Sequence, residues 1–95
     1  PLAPLFTAWC AVNRQTVSGR ILGEHEKISV EDAFRAITIG AAYTIKLDHL
    51  VGSIESGKFA DFAVLEDNPY ETPPEYLKDV GVWGTVVSGI PFPAV

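Results

Sequence analysis

The hydrophobic pattern of this chain changes its period near residue 51, and that change limits the folds open to it. Five apolar residues of the first half recur at steps of three or four, the spacing of one helix face: Val30, Phe34, Ile37, Ala41 and Ile45. From Phe59 to Leu65 the chain is instead an almost unbroken apolar run of strand length. We therefore expect a mixed α/β fold, helical over residues 1–50 and built of strands with a short helical turn over residues 51–95.

A first helix is predicted from Pro4 to about Thr16. Proline suits the first turn of a helix, and three apolar residues then share one face: Leu5, Trp9 and Val12. Ser18-Gly19 ends the helix, and the polar stretch from Arg20 to Lys27 is predicted to be a loop.

A second helix is predicted from Ser29 to about Lys46. Ser29 is a favourable N-cap, and Asp32 stands three residues later, where a capping box places an acceptor. Gly40 lies inside this helix, where glycine costs about 1 kcal/mol relative to alanine. Such a position indicates that another backbone segment comes close.

Strands are predicted over 59–65 and 80–87, with a helical turn from Pro73 to Lys78 between them. Ser88-Gly89 forms a turn into a last extended piece. Because Pro91 and Pro93 have no N–H to donate, that piece is expected at a sheet edge or as a tail.

The stretch GSIESGKF, residues 52–59, contains most of a phosphate-binding loop, Gly-x-x-x-x-Gly-Lys. That loop needs a strand before it, a helix after it and a Ser or Thr next to the lysine, where this chain has Phe59. The residue types favour a turn over Glu55–Lys58, with Gly57 at a positive φ, that joins a short strand at Ser53-Ile54 to the longer one. We therefore predict a structural loop.

Composition excludes several classes of partner. The net charge of −5 and the dispersed lysines and arginines argue against nucleic acid. There is no apolar segment long enough for a membrane span and no signal-peptide pattern in the sequence. The single cysteine, Cys10, is expected to be a buried thiol, and the lack of a disulfide pair fits a reducing compartment, so a cytoplasmic location is expected. Because the chain begins with Pro1, we expect it to be a piece of a longer protein.

Residues 52–69 resemble the C-terminal signature of the amidohydrolase superfamily of metal-dependent hydrolases. They read GSIESGKFADFAVLEDNP. Three further segments are similar to the amidohydrolase family 3 branch: PLFTAWCAVNRQT, ISVEDAFRAITIGAAY and LKDVGVWGTVVSG. The resemblance covers about Leu2 to Gly89 and departs from the family pattern at the end, because Pro91 and Pro93 lie where family members usually close with a strand.

This resemblance implies a fold and an activity. The chain would hold the last helices of a (β/α)₈ barrel, over residues 1–50, and strands of the accompanying composite β-sandwich, over residues 51–95. The full-length enzyme would hydrolyse a C–N (or related) bond of a small non-peptide substrate, using a divalent metal, with zinc the expected ion, to activate water. In the family the metal ligands precede this segment, so the chain alone would be an inactive scaffold without cofactor.

The chain's own candidate site residues agree with that expectation. His25 and His49 are 24 residues apart in polar stretches and form no His-x-His pair, so surface positions are expected. Asp61 interrupts an apolar strand and is expected to accept backbone N–H groups in or beside the Gly57 turn, rather than to act as a base or ligand. Asn13 and Arg14 are interpreted as a solvated helix face, with a place near the substrate pocket as the alternative. We predict no catalytic, cofactor-binding or metal-binding residue in this chain.

Two further expectations concern partners. Apolar residues make up 47% of a chain too short for a large core, which indicates that apolar faces and strand edges pair with another copy. The rival interpretation is a free-standing, non-catalytic β-rich interaction module that shares only the signature.

Overall fold

A computed structural model describes residues 3–94; Pro1, Leu2 and Val95, which belong to the predicted segments 1–50 and 51–95, lie outside the described residues. Helices come first and strands second, so the mixed α/β prediction is confirmed. The elements, in chain order, are α1 (Pro4–Asn13), a 3₁₀ turn (Glu24–Glu26), α2 (Val30–Ile37), α3 (Ile39–Thr44), β1 (Phe62–Leu65), a second 3₁₀ segment (Pro74–Asp79), β2 (Val82–Val87) and β3 (Ile90–Pro93).

Helix α1 begins at Pro4, as predicted, and ends three residues before the predicted Thr16. Arg14 turns the chain at a left-handed φ of 52°, and its N–H still bonds the Cys10 carbonyl at 2.8 Å. The Arg14 side chain holds this conformation, since its Nε donates to the Leu22 carbonyl at 2.9 Å. The stretch that follows is an irregular hairpin closed by the bridge between Gln15 and Ile21.

The predicted helix from Ser29 to Lys46 is wrong in its continuity, because two short helices replace it. Its start is confirmed: the Ser29 Oγ accepts the Asp32 N–H at 3.0 Å. The break falls at Thr38, with φ −118° and ψ −99°, where the Thr38 hydroxyl donates to the Phe34 carbonyl at 2.5 Å. A Cβ on Gly40 would lie 3.0 Å from the Arg35 carbonyl oxygen, so the predicted close approach of a backbone is confirmed.

The three strands form one antiparallel sheet in the order β1-β2-β3. Strand β1 is shorter than the predicted 59–65, β2 begins two residues after the predicted Val80, and the predicted strand at Ser53-Ile54 is wrong, because those residues lie in bends and irregular chain. Strand β3 lies at an edge, which confirms the prediction made from its two prolines.

The core lies between α1, α2 and the 3₁₀ segment Pro74–Asp79. Its buried members are two alanines and three larger residues: Ala8, Ala33, Trp9, Val12 and Leu77. Leu77 is fully buried, and the indole N–H of Trp9 donates to the Glu75 carbonyl at 2.9 Å. The segment after β1 therefore returns to pack on the first helix of the chain.

A large share of the apolar surface remains uncovered. The chain exposes 6930 Å², whereas a folded monomer of this mass exposes about 5400 Å². Its radius of gyration is 14.4 Å, against about 12.4 Å for a compact chain of this length. Large apolar side chains at least half exposed include Val17, Tyr43, Ile45, Ile54, Phe59, Ile90 and Phe92. Exposed apolar surface of this extent is typical of protein regions that contact other protein.

Candidate functional site

The loop over residues 52–59 is closed by its own side chains. Gly57 has φ 92°, and the Lys58 N–H donates to the Glu55 carbonyl at 3.2 Å, which confirms the predicted turn. The Lys58 ammonium donates to the Ser53 hydroxyl at 2.7 Å and lies 3.1 Å from a Glu55 carboxylate oxygen. The Ser53 hydroxyl donates to the same carboxylate. With Lys58 committed to this network and no helix following it, the loop has no phosphate-binding geometry.

This network changes the pKa of the Glu55 carboxyl. The hydrogen bond from Ser53, then the hydrogen bond and positive charge of Lys58, hold the pKa of the Glu55 carboxyl below its ordinary value of 4.5. The network thereby favours the charged carboxylate. Its hydrogen bonds and ion pair hold the turn closed, and Glu55 is not set up as a catalytic acid or base.

Asp61 has a structural partner in the sheet. Its Oδ1 accepts the Ser88 N–H at 2.7 Å, and the neighbouring Gly89 N–H donates to the Ala60 carbonyl at 3.0 Å. The predicted role as a backbone acceptor holds, but the predicted place is wrong: the turn is Ser88-Gly89, not the Gly57 turn. The β1–β2 pairing brings these residues together across 27 positions of sequence.

The two histidines lie apart from any ligand cluster. His25 is exposed in the 3₁₀ turn Glu24–Glu26, and His49 is exposed in the turns after α3. Over residues 3–94, no three side chains of the His, Cys, Asp or Glu type gather in a group that could hold a metal ion. These residues therefore do not fit the metal that the resemblance implies.

Residues near the end of α1 are engaged with backbone. The Asn13 amide donates to the carbonyls of Trp9, at 3.0 Å, and Pro74, at 2.9 Å, and so ties α1 to the 3₁₀ segment. Cys10, predicted to be buried, is half-buried instead, because it borders a small depression of about 180 Å³ beside Arg14 and Leu22. Asn13 is thus a packing residue, not the freely solvated one that the sequence indicated.

An open, mainly apolar groove of about 1110 Å³ lies between the helices and the sheet. Its walls come from α1, from α2 and α3, and from β1 with the residues around it; representative members are Phe6, Phe34, Ile45, Ile54, Phe62 and Leu65. The sequence predicted apolar faces but not this groove, because its walls meet only through tertiary packing.

Among the described residues, none of the helices is both long and apolar enough to cross a membrane.

Comparison with known proteins shows which family the chain belongs to. The model of the amidohydrolase family matches residues 1–91. This chain belongs to the amidohydrolase family. Among amidohydrolase-like relatives, an N-substituted formamide deformylase of Arthrobacter pascens is 33% identical over 88 residues, 93% of this chain. An imidazolonepropionase of Bacteroides fragilis is 35% identical over 71 residues, 75% of the chain, and Protein LONG AFTER FAR-RED 3 of Arabidopsis thaliana is 46% identical over 66 residues, 67% of the chain.

The match covers a small part of each relative. It spans 16% of the deformylase, 17% of the imidazolonepropionase and 11% of the Arabidopsis protein. No solved structure matches the chain. The family resemblance drawn from GSIESGKFADFAVLEDNP is confirmed.

Proposed function

We propose that this chain is the C-terminal scaffold segment of a metal-dependent amidohydrolase that hydrolyses a C–N bond of a small, non-peptide substrate. The observation that carries the proposal is the family match over residues 1–91, together with relatives whose names include a deformylase acting on N-substituted formamides. Removing the formyl group from such a compound hydrolyses an amide C–N bond. N-substituted formamides are therefore the first substrates to test.

The role proposed for these residues is structural. Residues 1–50 would cover one flank of a (β/α)₈ barrel, and residues 51–95 would supply strands to a composite β-sandwich. The uncovered apolar surface and the open groove support this role, because both need further protein against them. The divalent metal, with zinc the expected ion, would be held by residues outside this chain, since the described residues offer no ligand group.

The cellular location and the substrate are proposed for the full-length enzyme. We place it in the cytoplasm, a location that the single, unpaired Cys10 supports. Small-molecule substrate would bind only in the full-length enzyme.

Splitting the intact enzyme just before this segment tests the proposal. Each piece alone should fail to hydrolyse N-formyl amines, and mixing the two should restore hydrolysis. A segment carrying both His25→Gln and His49→Gln should restore activity and metal content as well as the unmodified one, because neither histidine is a ligand. If the segment alone is active, or if the double variant restores structure but not metal, the scaffold proposal is wrong.

A further inference from the structure

We draw no further inference here: the strongest candidate, the outer edge of β1 beside the apolar groove, pairs with no other strand of residues 3–94, and nothing in the structure shows what covers it.

Discussion

The carboxylate of Asp61 accepts the backbone N–H of Ser88 at 2.7 Å, so the residue before β1 fixes the turn between β2 and β3. Without it, that N–H has no acceptor at the end of the sheet. Asp61→Ala should lower the free energy of unfolding by on the order of 1 kcal/mol, whereas Asp61→Asn, which retains an acceptor oxygen, should lose less. Urea unfolding of the three chains measures the difference; equal stabilities would show that this bond does not hold the turn.

Gly57 should be sensitive to substitution through its backbone alone. Its φ of 92° is unfavourable for other residues, and a Cβ there would have nothing within 4 Å. Gly57→Ala should therefore lower the free energy of unfolding by about 1 kcal/mol or more, and Gly57→Asn by less, because asparagine tolerates positive φ better. A thermal melt of Gly57→Ala that overlays the parent melt would contradict the assigned turn.

The Glu55 network should make stability depend on pH. Because the pKa of Glu55 is lowered in the folded chain, folding disfavours its protonation; the stabilisation is complete above the ordinary value of 4.5 and is lost as the pH falls through the lowered value. Glu55→Gln should remove this part of the acid sensitivity. NMR titration of the Glu55 carboxyl should give a pKa below the ordinary value, and Lys58→Gln should raise it. A pKa at or above the ordinary value in the parent chain would refute the network.

Leu77 should be the costliest single truncation in the small core. It is fully buried, so Leu77→Ala should lower the free energy of unfolding by about 3 kcal/mol. The matched control is Leu22→Ala, because Leu22 is 46% exposed and should cost less than about 1 kcal/mol. Denaturant unfolding of both variants gives the comparison, and similar losses would place the core elsewhere.

Local chemistry in the sequence predicted the N-cap of α2, the turn at Gly57 and the edge position of β3. Ser29 caps α2, Gly57 turns the loop and the two prolines put β3 at an edge, because each outcome depends on a few adjacent residues. The break at Thr38 could not be predicted in this way. The apolar spacing continues across it from Phe34 to Ile45, so periodicity alone indicated one helix.

Features that depend on distant parts of the chain were beyond sequence reasoning. The acidic character of Asp61 indicated a backbone acceptor, but its partner depends on the β1–β2 register. The sequence indicates a solvated Asn13, because nothing near Asn13 in sequence shows that Pro74 lies beside it in the fold. The groove between helices and sheet has the same origin, since its walls come from both halves of the chain.

The central claim, that this chain is an amidohydrolase scaffold without its own metal site, is tested most directly by metal analysis of the carefully desalted 95-residue chain beside the intact enzyme. The intact enzyme should retain tightly bound divalent metal and hydrolyse its substrate. The isolated chain should retain no stoichiometric metal and show no hydrolysis, because its described residues bring no ligand group together. About one tightly held zinc per chain, accompanied by hydrolysis, would contradict the account.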